Sequence, residues 1–526
     1  MTTNQHPGLF SERLFSSFFR FLWNSRIPFF SSLIFGLLAH MFAFTNKLLN
    51  HDELNFLFSK GITISSGRWG LVFLAPFLPD SSLPWLNGTI TVFLIALSVC
   101  LMIRMFSIRN TMLQVLLAGL VISFPSLTGT FSYMFTSAYY GAAFLFSVLA
   151  VYLIRNAQRE NRCLCAVCLL AALALSVFST AIYQAYIAIT AGLLLLLILQ
   201  ELLEAESDTK ILIRKGIGSV LFLALSLGCY WICCKVIWSV TDIPMNQYSQ
   251  EAVTFQLSTV LEGIKNAYLH FFSYTLHPDS GLVGSSLSRY FHLGCLMIAG
   301  AELALWAVQS KKWDKIFLMV FLLAMLPLSI NCMYIFIAAF HVHTLVLYSF
   351  IILYVFAVVV MEYGLSSGFG QNLLSHIRKN AYDVLILGLT AVLVSNIYTA
   401  NTAYLKLYLR YENFYAFCTS TVSQLQNIPD YSADTPVAFV GTYEDPAFYS
   451  DAFPGTEHLA GINDFSPNAY SRDKMFEYYI GHELNLVHDG DAQLLSETAA
   501  VQKMPEYPAS GYVRMVDGTI VIKLSD

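Results

Sequence analysis

A chain of 526 residues with 56% hydrophobic and only 12% charged residues, at a mean hydropathy of +0.60, excludes a soluble enzyme. Each membrane span needs about 20 apolar residues to cross a core of about 30 Å, so the length accommodates about ten to twelve of them. The net charge of −5 is too small to point to a partner, and no nucleic-acid partner is expected.

In chain order, the first segment, residues 1–26, holds Leu9 to Trp23, which mixes phenylalanines and leucines with Arg13 and Arg20 and reads as an interfacial amphipathic helix. Apolar runs follow near 29–46, 84–103, 111–128, 138–154, 163–179, 182–200, 216–239, 290–308, 316–333, 342–361 and 383–399. They predict eleven transmembrane helices within a membrane domain spanning 27–400. No small-residue cleavage site follows the first run, so it reads as an uncleaved span. Ser179-Thr180 and Tyr183-Gln184 mark a tight turn between two spans in the 163–200 region. Glu302 lies in the eighth span and is expected to pair with Lys311 or Lys312.

Lysine and arginine orient these spans. By alternation sixteen basic residues, from Arg13, Arg20 and Arg26 through to Arg378 and Lys379, fall on one side. Lys47, Lys60, Arg68, Lys265 and Arg289 fall on the other. The N-terminus is therefore expected in the cytoplasm and the C-terminus outside. Three polar regions face outwards on this reading: 45–84, 240–288 and everything after about Asn401. Residues 401–526 change composition sharply. Tyr404 to Gln426 has helical spacing, Pro436 to Val440 reads as a buried strand, and Val513 to Ile522 as a hairpin around Asp517-Gly518. A small extracytoplasmic α/β or α+β domain is expected there. Nine of the ten cysteines lie in or beside spans and read as small apolar fillers, including Cys163, Cys165 and Cys168.

Candidate chemistry gathers in the first outer loop. His51-Asp52-Glu53 follows the first span, and Gly67-Arg68-Trp69-Gly70 precedes the second. Moving a sugar from a lipid phosphate to a hydroxyl needs a base for the hydroxyl proton and positive charge on the departing phosphate. Asp52 or Glu53 supplies the base. Arg68, aided by Lys60 or Arg289, supplies the charge. Solvated loop charges and nonspecific headgroup contacts are the bland alternatives. His51, Trp69, Tyr183, Gln184, His277, Asp279, His341 and His343 are the candidate substrate contacts. For several of them a structural reading competes: an interface-belt role for Trp69 and Trp85, helix packing for Tyr183-Gln184, and a turn for His277 to Gly281. His341 and His343 have the spacing of a metal pair, but no carboxylate lies nearby in sequence, and no metal ligand is assigned.

With Asp52-Glu53-Leu54, Ser66-Gly67-Arg68-Trp69 and Tyr183-Gln184 on many spans and a polar C-terminal part, the chain resembles the bacterial glucosyltransferases of Gtr type II. That resemblance implies an all-α polytopic GT-C-like fold in the bacterial inner membrane. It implies polyprenyl-phosphate glucose as donor, a lipid-linked or surface glycan such as O-antigen as acceptor, and inverting transfer. It brings in membrane lipids, a donor synthase and a flippase as partners, and leaves a divalent cation open as cofactor. The acidic pair carries over to Asp52 and Glu53 with Asp52 preferred as base. Many members have Asp-Asp there, so the Asp-Glu of this chain leaves open which carboxylate acts. A flippase or transporter, and a polymerase of lipid-linked glycans, are the competing readings. Transporters place ionisable groups near the midplane and often show two related halves, and neither feature is evident here.

Overall fold

A computed structural model describes residues 10–157, 162–204, 208–246, 257–276, 286–335, 344–366, 373–444, 452–463 and 471–525. His277, Asp279, His341 and His343 lie outside the described residues. The helices begin with α1 (Phe10–Asn24), α2 (Arg26–Thr45), α3 (His51–Asn55), α4 (Trp69–Leu74) and α5 (Pro84–Met105). They continue with α6 (Thr111–Ile122), α7 (Pro125–Phe131), α8 (Met134–Asn156), α9 (Arg162–Ile182), α10 (Ile187–Leu203) and α11 (Thr209–Thr241). Next come α12 (Leu257–Leu276), α13 (Ser286–Ser310), α14 (Trp313–Ile330), α15 (Ile352–Ser366) and α16 (Leu373–Gln426). Among the described residues, ten helices are long and apolar enough to cross a membrane, or eleven if the bent pair α6–α7 is one span. They fall on the apolar runs read from the sequence. The chain is a membrane protein. The 240–288 region, read from sequence as a polar loop, also contains the helix α12.

The bend shows how the bundle treats exposed backbone. α6 and α7 meet at 42°. Pro125 opens α7 and disfavours helical geometry at Phe124, which is extended. The run 111–128, expected as one span, is broken here for that reason. Carbonyls freed at such a break need donors where water is scarce. Tyr348 Oη donates to Val121 O at 3.0 Å. His40 Nε2 lies 2.7 Å from Ile122 O, and His40 Nδ1 lies 2.8 Å from Tyr404 Oη. A carbonyl can only accept, so Nε2 carries the ring proton and Nδ1 accepts from the tyrosine.

α16 is 54 residues long. At 1.5 Å per residue it extends about 80 Å, far beyond the roughly 30 Å of a hydrocarbon core. It contains no proline, so nothing stops it at residue 400, and the expected span 383–399 and the expected helix 404–426 are one element. Beyond it, β1 (Pro436–Val440), α17 (Arg472–Met475) with a following π-turn at Phe476–Ile480, β2 (Asn485–Leu486), α18 (Asp489–Ser496), α19 (Ala499–Gln502), β3 (Val513–Val516) and β4 (Thr519–Lys523) form the C-terminal part. The sheet order is β2-β1-β4-β3. β1 runs parallel to β2 and β4, and β3–β4 is the expected hairpin. Its turn places Asp517 and Gly518 at φ 47° and 82°, the left-handed pair that a two-residue turn of this hand requires.

One sequence expectation is corrected. Glu302 pairs not with Lys311 or Lys312 but with Arg378 of α16, which donates from Nη2 at 2.5 Å and from Nε at 3.2 Å. A planar guanidinium engages both carboxylate oxygens at once, which an ammonium cannot do, and α13 packs directly on α16. Both side chains are largely buried, so Arg378→Ala strands a carboxylate and should destabilise the bundle by about 3–5 kcal/mol. The double change Glu302→Gln/Arg378→Gln should lose clearly less. Thermal unfolding of detergent-solubilised protein compares the two; a double variant that loses as much as Arg378→Ala or more would show that the stranded carboxylate is not the source of the loss.

Candidate functional site

The acidic pair lies on α3, a helix of five residues. Neighbouring residues on a helix point about 100° apart, so two adjacent carboxylates cannot face the same way. Glu53 is buried and Asp52 is about a third exposed. The Ser82 hydroxyl donates to Glu53 Oε1, and Phe135 N, at the start of α8, lies 3.4 Å from Oε2. Lys47 Nζ donates to Ser82 O at 3.0 Å, which brings a cation close to the same carboxylate. Burial pushes the Glu53 pKa up to about 7, while Ser82, Lys47 and the Phe135 and Met134 amides pull against it. Burial likewise lowers Lys47, opposed by the Glu53 charge. His51 Nε2 lies 3.6 Å from Asp52 Oδ1.

Asn50 sets where α3 begins. Its Oδ1 accepts from Glu53 N at 2.8 Å as an N-cap, and its Nδ2 donates to Ser132 O at 2.7 Å. One side chain therefore ties the acidic helix to the turn before α8.

The Gly67-Arg68-Trp69-Gly70 motif divides its work by residue. Gly67 has φ 74°, and a Cβ there would meet Tyr230 Oη at 2.6 Å, so a side chain is refused both by conformation and by space. The loop around it is pinned from three directions. Tyr230 Oη donates to Gly67 O at 3.1 Å, Trp238 Nε1 to Ile64 O at 2.7 Å, and Gln184 Nε2 to Ser66 O at 3.0 Å. Trp69 is buried against Phe73, Phe178 and the α9–α11 cleft. A Cβ on Gly70 would lie 2.9 Å from the Ala181 and Ile182 backbone, so glycine lets α4 touch α9.

Arg68 is left to carry charge. Its guanidinium sits 5.0 Å from the centre of the Tyr183 ring, and Tyr183 stacks on Tyr140 at 4.6 Å. Burial works to lower the Arg68 pKa, yet the net shift is upward through Tyr140, Tyr183, Tyr230 and Asp52. Asp52 is the carboxylate among those four, so the two side chains lie within electrostatic reach of each other. The structure thus brings Asp52, Arg68, Tyr183 and Gln184 to one end of the bundle.

The other candidates fall elsewhere or into structural roles. Lys60 faces Asp80 at 3.8 Å. Arg289 donates to Leu276 O at 3.1 Å and lies over the Tyr290 ring. Among the described residues no group of three His, Cys, Asp or Glu side chains is placed to hold a metal ion. All ten cysteines are free thiols. Sequence reading missed Asn50, Lys47, Ser82 and Tyr230. Asn50 one residue before His-Asp-Glu is a legible capping signal, whereas the partnerships of Ser82 and Tyr230 span long separations that no local pattern reports.

Against protein families, residues 41–361, more than half of the chain, match the model described as glucosyl transferase GtrII. No curated protein and no solved structure is similar enough to match.

The Glu53 environment has a pH signature. Its usual pKa of 4.5 rises to about 7 in the fold, so between these values the folded chain holds a proton that the unfolded chain has released. Stability contributed by this group is therefore full below about pH 4.5 and is lost as pH rises to 7, by about 3 kcal/mol in all. Glu53→Gln cannot show that slope. Unfolding midpoints of wild type and Glu53→Gln from pH 5 to 8 should diverge in this sense, with the variant gaining on wild type as pH rises. A constant difference across that range would mean that Glu53 stays ionised in the fold.

Proposed function

The chain belongs to the glucosyl transferase GtrII family, and from that premise we propose that it transfers glucose from a polyprenyl-phosphate donor to a lipid-linked or surface glycan. The transporter reading gives way to a glycosyltransferase. We place the reaction on the outer face of the bacterial inner membrane, with the N-terminus cytoplasmic. The excess of lysine and arginine on the opposite loops supports that orientation. So does the meeting, at one end of the bundle, of the 46–83 loop, the Tyr183–Gln184 turn and the end of α11, all of which alternation puts on the same side.

The observation that carries the reading is the division between the two carboxylates. Glu53 is buried and occupied by Ser82 and the α8 N-terminus, while Asp52 keeps a solvent-accessible face and acts on the field at Arg68. We assign Asp52 as general base, Glu53 as the group that orients α3, and Arg68 as the donor phosphate contact. In the step, the acceptor oxygen forms a bond to the anomeric carbon as the bond from that carbon to the phosphate oxygen breaks. The hydroxyl proton goes to Asp52, and the phosphate leaves as an anion against Arg68. A phosphate leaving group needs no general acid, so one carboxylate suffices. Lys60, which faces Asp80, and Arg289, which is bonded to Leu276 O, are given no part in the step. His51 lies beside the base. Tyr183, stacked under the guanidinium, and Gln184 fix Arg68 rather than reading the sugar.

Transfer of radiolabelled glucose from polyprenyl-phosphate glucose, in membranes carrying the glycan acceptor, tests the assignment. Asp52→Asn should lower kcat by about a hundredfold or more, as loss of a general base does, with normal insertion. Glu53→Gln should retain measurable activity. Arg68→Ala should raise donor KM more than acceptor KM. Full activity in Asp52→Asn would remove the base from this helix, and equal losses toward donor and acceptor in Arg68→Ala would assign the arginine a folding role.

A further inference from the structure

Two buried cationic side chains on the extension of α16 hold one short loop of the C-terminal part. Lys406 Nζ donates to Asn463 Oδ1 at 2.6 Å, and Arg410 Nη1 donates to Ile462 O at 2.5 Å. Between them and the bundle, Ala460 N donates to Thr344 Oγ1 at 2.8 Å. The Ser132 hydroxyl lies 3.1 Å from Ala460 O and 2.7 Å from Gly129 O, so one proton is shared between two carbonyls. At the tip is Gly461, with φ 75°. A Cβ there would strike Ser132 Oγ and would come within 2.7 Å of the Tyr133 ring and 2.8 Å of Asn50 Nδ2. The loop is therefore seated directly on the two residues, Asn50 and Ser132, whose mutual hydrogen bond locates α3.

We propose that the loop Thr456–Asn463 is a positioning element of the transferase site: seated through Gly461 on Asn50 and Ser132, it sets the orientation of α3 and so of Asp52. Nothing in this loop reaches the reacting atoms. It acts through the Asn50 cap, because α3 is a single turn and a half with no length of its own to resist tilting. The same face is supported a second time by the π-turn, where Tyr478 meets Phe58 at 5.3 Å and the Glu53 charge reaches Tyr479. Residues 456–463 and the π-turn lie outside the stretch 41–361 that matches the family, whereas the residues they bear on, Asn50, Phe58 and Ser132, lie inside it.

The geometry separates this effect from donor binding. The backbone that leads into Arg68 is held by Tyr230, Trp238 and Gln184, a set of anchors separate from those of residues 456–463. Disturbing Gly461 should therefore alter the chemical step and spare donor affinity, since misplacing a catalytic group by about 1 Å can cost on the order of a hundredfold.

This inference rests on Asp52 being the base, and the experiment keeps the two apart. Wild type, Asp52→Asn, Gly461→Ala, Gly461→Ala/Ser132→Gly and Thr344→Val full-length chains are assayed for transfer from polyprenyl-phosphate glucose in acceptor-bearing membranes, with rates normalised to folded protein. Gly461→Ala should lose about tenfold or more in kcat, with donor KM changed by less than about threefold. Adding Ser132→Gly should restore a large part of that loss by removing the hydroxyl that the new methyl meets. Thr344→Val, which keeps its shape but loses the acceptor for Ala460 N, should show a smaller kcat loss with unchanged donor KM, and it serves where Gly461→Ala does not fold. Wild-type kcat in folded Gly461→Ala or in Thr344→Val, a loss expressed in donor KM, or no recovery in the double variant would overturn the proposal. Full activity in Asp52→Asn would instead overturn the assignment of the base.

Discussion

An unmet polar group in an apolar interior costs several kcal/mol, and this chain answers that constraint by spending side chains on its own backbone. At the α6–α7 bend, His40 and Tyr348 take up the carbonyls that Pro125 releases. At the start of α3, one carboxamide does two tasks: Asn50 caps the helix and holds Ser132 O. In the Ile64–Arg68 loop, Tyr230, Trp238 and Gln184 donate to three successive stretches of backbone. Once those partners are set, little freedom remains for the side chains the loops carry.

That rigidity explains how two adjacent acids come to lie in different surroundings. Glu53 is drawn against the α8 amides, Ser82 and Lys47, and burial raises its pKa toward neutrality. Asp52, rotated by one helical step, keeps contact with solvent and with the field of Arg68. A buried group that can be protonated near neutral pH is a poor permanent counter-charge but a serviceable hydrogen-bonding anchor. A partly exposed carboxylate is the one of the two that an incoming hydroxyl can reach. In the proposed reaction the anchor and the base are thus a single sequence motif seen from two sides.

The C-terminal part belongs to the same argument. α16 passes without interruption from the bundle into that part, and its Lys406 and Arg410 grip the loop that bears on Asn50 and Ser132. A polar domain joined by a flexible linker would tolerate relative motion; a continuous helix restrains it. The boundary drawn in the sequence at 400–401 follows a change in composition, and the backbone of α16 runs through it without ending an element.

By itself the sequence determined the class of the molecule and the inventory of its site. Long apolar runs are local signals, and among the described residues the long apolar helices fall on them. The Asp517-Gly518 hairpin and the buried strand at Pro436–Val440 were legible for the same reason, because turn geometry and burial are written in adjacent residues. Asp52, Glu53 and Arg68 stood out because charge is scarce in such a chain. Only the tertiary structure decided which acid faces outwards, why Gly67 cannot carry a side chain, that Trp69 is core, that Glu302 chooses Arg378 over the nearer lysines, and that Gly461 bears on Asn50. Each of these depends on a partner between about 80 and 410 residues away in the chain, or on which side of a helix turns inward. Local composition carries no record of either, because both are fixed by packing of the whole bundle.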